Sequence, residues 1–204
     1  MAENNSEQVR SFIAIELPQE TKHELARLQE RLKRACGYCP ARWVAAESIH
    51  LTLNFLGDVP RSKLDDIKSA VAQACAEAGT FELALASLGA FPNLERPHIV
   101  WVGLSGDVER LLKIQKRLEQ LLAGLGFDPE NRPFSPHLTL ARVRDEASAA
   151  DKKRLGQAIC STTCKTDYSI PVRQVSLIKS QLTPAGPIYT VLSSATLGRQ
   201  ARAS

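Results

Sequence analysis

The sequence predicts an α+β protein of two similar lobes, related by an approximate two-fold axis, around a central cleft. Two observations predict this fold. The tetrad His-Leu-Thr-Leu occurs twice, at 50–53 and 137–140, in a chain of 204 residues that contains only four histidines. When the sequence is shifted by the 87 residues that separate the tetrads, apolar strands and amphipathic helices also align. We therefore predict an internal repeat over about 11–92 and 98–180.

Each copy of the repeat is predicted to contain, in order, a strand, a helix, a strand, a helix and a strand. A mostly polar segment, residues 1–10, precedes the first strand, and we predict that it forms a mobile N-terminal tail. The first helix is opened by Pro18, and Gly57-Asp58 are expected to stop the strand that carries the first tetrad. The predicted elements of the first half are a strand at 11–17, a helix at 18–35, the tetrad strand to about Leu56, a helix around 64–74 and a strand at 81–90.

Pro92 and Pro97 mark the crossing to the second half. Strands that alternate with helices usually indicate a parallel sheet. Because the elements come in two similar sets, we instead predict two small, antiparallel-rich sheets facing each other, with helices on their outer faces. Residues 11–204 then form a single two-lobed domain. The predicted elements of the second half are a strand at 98–104, helices at 107–123 and near 148–160, the second tetrad strand, and strands at about 169–179 and 188–194.

The two tetrads carry the candidate chemistry. In a strand, successive side chains point to opposite faces, so each tetrad sends a histidine and a threonine to one face and two leucines to the other. Two imidazoles in one cleft form a general acid and base near neutral pH. Threonine hydroxyls donate hydrogen bonds to phosphoryl oxygens. The pattern favours cleavage of a phosphodiester by His50 and His137, with Thr52 and Thr139 binding the phosphate and no metal required.

Two other interpretations of the tetrads remain open. The histidines can hold a metal, although imidazole sites usually need a third or fourth ligand and neither tetrad contains Asp or Glu. They can also be buried, structural side chains that were duplicated with the repeat.

A separate hypothesis is a zinc site formed by two pairs of cysteines. We disfavour this hypothesis because the two pairs lie far apart in the sequence. These are Cys36 and Cys39, and Cys160 and Cys164.

Composition limits the partners of the protein. The formal net charge of +4 suits an anionic partner. No apolar run approaches the roughly 18 residues that span a bilayer, and the polar start of the chain lacks the apolar core of a secretion signal. No glycine-rich phosphate loop with its lysine is present. We therefore expect a cytoplasmic protein without a membrane partner, an obligate protein partner or a cofactor.

The same residues resemble the two-histidine (2H) phosphoesterases. Within them, the chain is similar to the bacterial and archaeal RNA 2′,3′-cyclic phosphodiesterases, historically called 2′-5′ RNA ligases. The resemblance extends from Phe12 to about Leu192. Its motifs in this chain are Phe12–Pro18, Arg42–Val44, His50–Gly57, Leu88–Pro92, Arg132–Phe134, Pro136–Arg142 and Leu182–Tyr189.

The resemblance implies two similar lobes and hydrolysis of an RNA-terminal 2′,3′-cyclic phosphate to a 2′-phosphate. It implies that His50 donates a proton, that His137 accepts one, and that Thr52 and Thr139 hold the phosphate. The substrates would be RNA ends or nucleoside 2′,3′-cyclic phosphates. Alternatives are reversible 2′-5′ joining of RNA ends, which is the same chemistry run backwards, and a catalytically silent module that binds RNA or nucleotides.

Four further residues bear on substrate binding. Arg142 suits a phosphate, but strict alternation puts it on the leucine face unless the strand ends or bulges nearby. Phe55 is its counterpart in the first copy and can stack on a base, although the same alternation favours core packing. Arg132 is a weaker phosphate candidate. Many relatives have Arg where Gln181 stands, which puts an RNA contact from that loop in doubt.

Overall fold

A computed structural model describes residues 7–129, 133–164, 168–184 and 186–198. Strands and helices alternate along most of the chain, with two short 3-10 turns before and after the strand of the first tetrad. The elements are β1 (Gln8–Glu16), α1 (Gln19–Cys36), β2 (Ala41–Trp43), β3 (His50–Pro60), α2 (Leu64–Ala76), β4 (Phe81–Phe91), β5 (Ile99–Gly106), α3 (Val108–Gly124), β6 (His137–Val143), α4 (Ala149–Ser161), β7 (Ser169–Val172), β8 (Gln174–Thr183) and β9 (Gly186–Thr196).

The strands form two antiparallel sheets, which confirms the predicted α+β class. The first sheet has the order β3-β1-β8-β9 and the second the order β2-β6-β5-β4-β7. The strands of the two tetrads, β3 and β6, therefore lie in different sheets. The two halves also exchange strands, because β4 joins β5 and β6 whereas β8 joins β1. The short connection 92–98 explains the first exchange, since it lets β4 turn back on β5 as an antiparallel neighbour.

The last residues of the predicted N-terminal tail form part of a strand. Residues 8–10, which we predicted to lie in a mobile tail, belong to β1 and pair with the end of β3. Val9 is buried opposite Val59. This pairing exists because β3 continues to Pro60 instead of stopping at Gly57. Gly57 has a φ of +71° beside a shift in the β1–β3 register, so it carries the strand through a bulge. Residues 1–6 lie outside the described residues.

The segment predicted as one strand over 169–179 is two strands in different sheets. Arg173 separates β7, which pairs with β4, from β8, which pairs with β1. A strand that switches between packed sheets has to bend where it leaves the first of them. The apolar pattern is continuous across this bend because both strands bury one face, so the pattern alone does not reveal the break.

The sheets and helices enclose one main core. Strand β1 divides its side chains between two environments: Ile13 and Ile15 lie in the main core, whereas Phe12 and Ala14 pack with Ile178 in a smaller cluster. Helix α1 contacts α4, and α2 contacts both α3 and the strands β8 and β9. None of the helices among the described residues has the length and apolarity to cross a membrane. The predicted helix faces are buried as expected, namely Leu25, Leu28 and Leu32 of α1 and Leu111, Ile114 and Leu118 of α3.

Close packing around α4 gives a testable prediction. A methyl group at Gly156 would overlap the backbone carbonyl oxygen of Leu94, which cannot rotate away as a side chain can. We expect Gly156→Ala to lower the free energy of unfolding by about 1–3 kcal/mol, measured by urea denaturation. The control is Gly124→Ala at the end of α3, where a methyl group meets nothing within 4 Å. Equal stability of the two variants would contradict the packing argument.

Candidate active site

The two tetrads meet at one cleft between the sheets. His50 and Thr52 stand on β3, and His137 and Thr139 on β6; all four line the same cavity of about 180 Å³. The leucines of both tetrads are buried in the core on the opposite side. The observed burial alternates as the sequence predicted, with half-buried histidines and threonines between fully buried leucines. The structure thus brings together the four side chains on which the sequence argument depends.

Both imidazoles are held by the same type of hydrogen bond. The Nδ1 of His50 lies 2.9 Å from the carbonyl oxygen of Ser48, and the Nδ1 of His137 lies 2.7 Å from that of Ser135. A carbonyl oxygen only accepts, so Nδ1 carries the proton in each ring. The bond fixes the tautomer and leaves Nε2 of each ring for proton transfer with a substrate. The two sites are equivalent in this respect, as expected for a repeat.

Aromatic side chains support both histidines. The ring of Phe12 stacks on His50 with 4.5 Å between centroids, and Tyr189 meets the same imidazole edge-on at 5.2 Å. Phe91 meets His137 edge-on at 5.0 Å, with Trp101 beyond it at 6.4 Å. These rings restrict the orientation of the imidazoles. Sequence reasoning missed them because they lie on other strands of the two sheets rather than beside the tetrads.

Burial lowers the pKa of His50. Loss of water around the ring is the main cause, because it disfavours the charged imidazolium. The hydrogen bond to the Ser48 carbonyl and the negative charge of Glu16 act in the opposite direction without cancelling the effect, and Lys22 lowers the pKa further. His50 is therefore mostly neutral at pH 7 before an anionic ligand binds.

A bulge brings Arg142 into the cleft. Val100 of β5 pairs with Ala141 and Trp101 pairs with Thr139, so Leu140 is an extra residue in β6. The extra residue reverses the alternation after it, and Arg142 lines the same cavity as the tetrads. Strict alternation had placed Arg142 on the leucine face unless the strand ended or bulged nearby, and the structure shows the bulge.

The same bulge occurs in the first half. Ile13 of β1 pairs with Asn54 and Ala14 pairs with Thr52, which leaves Leu53 as the extra residue of β3. Phe55 consequently lines the cleft and is 51% exposed, so our expectation of core packing for this ring is wrong. Arg10 lies over the ring of Phe55, with its guanidinium carbon 4.9 Å from the ring centroid.

A buried glutamine stabilises the bulge of β6. Gln29 of α1 donates hydrogen bonds from Nε2 to the carbonyl oxygens of Leu140, at 2.9 Å, and of Val44, at 2.7 Å. The backbone N–H of Val44 donates to the same Leu140 oxygen. The carbonyl oxygen of Leu140, the extra residue of the bulge, thus accepts hydrogen bonds from both a side chain and the backbone. The sequence signal for Gln29 was a polar residue on an otherwise apolar helix face, which recurs at Gln115 in α3.

Of two further residues named in the sequence analysis, one is not described and the other does not line the cleft. Arg132 lies outside the described residues. Gln181 is exposed on β8 and follows Ser180, which lines the cleft, so alternation turns Gln181 to the opposite face. The described part of the chain therefore gives Gln181 no place beside the histidines.

The cysteines do not form a metal site in the described residues. No group of three or more His, Cys, Asp or Glu side chains there is arranged to hold a metal ion. Burial, followed by a hydrogen bond with Cys36, raises the pKa of Cys39 to about 12. A thiol with such a pKa stays protonated at pH 7 in the absence of a metal ion. Nothing in this region supports the zinc hypothesis.

Paired imidazoles and paired hydroxyls, contributed by two similar halves to one cleft, define a two-histidine phosphoesterase. The family described as LigT like phosphoesterase matches the chain twice, over residues 15–101 and 102–189. The chain belongs to this family.

Individual relatives are similar over most of their length. The chain is 35% identical to the RNA 2′,3′-cyclic phosphodiesterase of Methanothermobacter thermautotrophicus, over 89% of this chain and 95% of that protein. It is 34% identical to the protein of the same name from Aeropyrum pernix, over 82% and 92%. Its fold matches the crystal structure of E. coli LigT complexed with 3′-AMP, with a TM-score of 0.74, 27% identity, and coverage of 94% of this chain and 99% of that one.

Proposed function

We propose that the protein hydrolyses RNA-terminal 2′,3′-cyclic phosphates to 2′-phosphomonoesters by metal-independent acid–base catalysis. The observation that carries this proposal is the pair of histidines in one cleft, each with Nδ1 bonded to a backbone carbonyl and Nε2 left for the substrate. The names of the relatives and the 3′-AMP in E. coli LigT support a substrate that is an RNA end or a nucleotide. Because each half supplies one histidine, both halves act as one catalytic domain.

The reaction needs one proton removed and one proton delivered. His137 accepts a proton from a water molecule as its oxygen attacks phosphorus, and the bond between phosphorus and the 3′-oxygen breaks on the opposite side. His50 donates its proton to that 3′-oxygen, which leaves as a hydroxyl, and the phosphate stays on the 2′-oxygen. Thr52 and Thr139 donate hydrogen bonds to the phosphoryl oxygens, where negative charge accumulates. The assignment of donor and acceptor follows the family, since the two halves are nearly symmetric.

The low pKa of His50 fits the donor role once substrate is bound. A nearby negative charge favours the protonated imidazole, so the cyclic phosphate raises the pKa of His50 when it enters the cleft. Substrate binding thus favours the charged form of the donor, which is mostly neutral in the free protein at pH 7.

The direct test is incubation with a nucleoside 2′,3′-cyclic phosphate in the presence of EDTA. We expect the nucleoside 2′-monophosphate as the product, at a rate that EDTA does not change. A 3′-monophosphate would contradict the proposed direction of bond breaking, and loss of activity with EDTA would contradict metal independence. Binding without turnover would identify a catalytically silent module instead.

The pH dependence of the reaction gives a further prediction. The value of kcat/KM reports the ionisation of the free protein and kcat that of the complex. A proton donor works only when protonated, so kcat/KM falls as pH rises through the pKa of His50, which burial holds below its ordinary value of about 6.5. The corresponding fall in kcat comes at higher pH because the bound phosphate raises that pKa. Coincident falls in kcat and kcat/KM would contradict this account.

A further inference from the structure

Two arginines stand directly opposite each other beside the catalytic cleft. Strand β2 is the edge strand of the second sheet, and its Arg42 pairs with Arg142 of β6. Residues that are direct partners on neighbouring strands project from the same face of a sheet. Arg142 lines the cavity of the histidines and Arg42 does not, so Arg42 lies one strand further out on the cleft side.

No carboxylate among the described residues pairs with either Arg42 or Arg142. Both arginines are exposed, and neither makes a hydrogen bond or an ion pair within the described residues. Like charges directly opposite each other on a sheet are destabilising, and elsewhere in the described chain arginines such as Arg31 and Arg154 are paired with carboxylates. An anionic ligand between Arg42 and Arg142 would remove the repulsion.

The opposite wall of this space comes from the first sheet. The nearest atom to a methyl group placed on Gly186 is Nη2 of Arg42, at 3.9 Å, so the β8–β9 hairpin reaches across to β2. Leu182 and Pro187 of this hairpin are direct partners and share the face of Ser180 and Tyr189, which line the cleft. Leu182 is 68% exposed, so the cationic pair borders an apolar surface.

We propose that Arg42, next to Arg142, binds the 5′-phosphate of the terminal nucleotide and so selects RNA ends over mononucleosides. This inference rests on the proposed function. The cyclic phosphate must lie between the histidines to react, and the next anion along an RNA chain is the 5′-phosphodiester of that same nucleotide. A guanidinium donates two parallel hydrogen bonds to a phosphate, and two guanidinium groups side by side hold one phosphate from two directions.

The test compares two substrates that differ only in this phosphate: a nucleoside 2′,3′-cyclic phosphate and its 5′-phosphorylated form. We expect the native protein to prefer the 5′-phosphorylated substrate in kcat/KM. Arg42→Gln should lower this preference about tenfold or more, because that is the loss expected for a hydrogen bond to a charged group. The loss should appear as a higher KM for the 5′-phosphorylated substrate, with kcat unchanged. Arg42→Lys should restore part of the preference because it restores the charge without the paired donors.

The control is Arg173→Gln, which removes an equally exposed arginine between β7 and β8, where the strand leaves one sheet for the other. This variant should keep the preference of the native protein. An equal loss on both substrates with Arg42→Gln, or no loss on either, would overturn the assignment of Arg42. Failure of the native protein to hydrolyse either substrate would instead overturn the proposed function, so the two failures are distinguishable.

Discussion

Replacing either His50 or His137 with asparagine is expected to lower kcat by about 10²–10⁴-fold, the usual contribution of a positioned acid or base. The amide of asparagine can still donate to the backbone carbonyl that holds Nδ1, at Ser48 or Ser135. It cannot exchange a proton with substrate near neutral pH. The measurement is the initial rate on a nucleoside 2′,3′-cyclic phosphate, together with thermal unfolding to show that the fold is retained.

The matched control is His23→Asn, which changes an exposed histidine on α1. It should leave the rate unchanged. The double variant of His50 and His137 should be scarcely slower than either single variant, because groups that act as one unit do not contribute additively. Native activity in either single variant would refute the assignment of these residues.

Replacing Thr52 or Thr139 with valine is expected to lower kcat by about 10²-fold for each residue. Valine keeps the branched shape of threonine and removes the hydroxyl that donates to a phosphoryl oxygen. The loss should appear mainly in kcat, because the negative charge on these oxygens is greatest in the transition state. Rates on the same cyclic phosphate, with KM determined separately, check this expectation.

Substitution by serine separates the hydroxyl from the methyl group at these two positions. Thr52→Ser and Thr139→Ser should retain most of the native kcat, since serine carries the same donor. If the valine variants kept the native kcat while the serine variants were slow, the threonines would act by packing rather than by hydrogen bonding.

Much of the fold could be predicted from the sequence because the spacing of apolar residues indicates which face of a helix or strand is buried. The helix predicted near 148–160 is α4, and its start is fixed locally: Ser148 accepts from the N–H of Asp151, whose carboxylate accepts in return from the N–H of Ser148. The ends of β3 were not predicted, because Gly57 acts as a turn residue in some contexts and as a bulge residue in others. Which of the two applies depends on β1, which lies far away in sequence.

The site was predicted only as far as strict alternation holds. His50, Thr52 and their counterparts precede the bulges, so a period of two places them correctly. Phe55 follows a bulge and was placed on the wrong face. The tetrad sequence contains no sign of the extra residue, because the bulge in β6 is defined by pairing with β5. The carbonyl of that extra residue, Leu140, also accepts a hydrogen bond from Gln29, which is 111 residues away.

The exchange of strands between the halves has a consequence for synthesis. β1 can pair with β3 early in synthesis. The other edge of β1 pairs with β8, where Ser11 lies opposite Lys179. During translation the first sheet therefore presents an unpaired edge of β1 until β8 has been synthesised. Such edges recruit other chains. A nascent chain truncated before β8 should therefore be more prone to aggregate than the finished protein, and a chaperone would act most usefully in that interval.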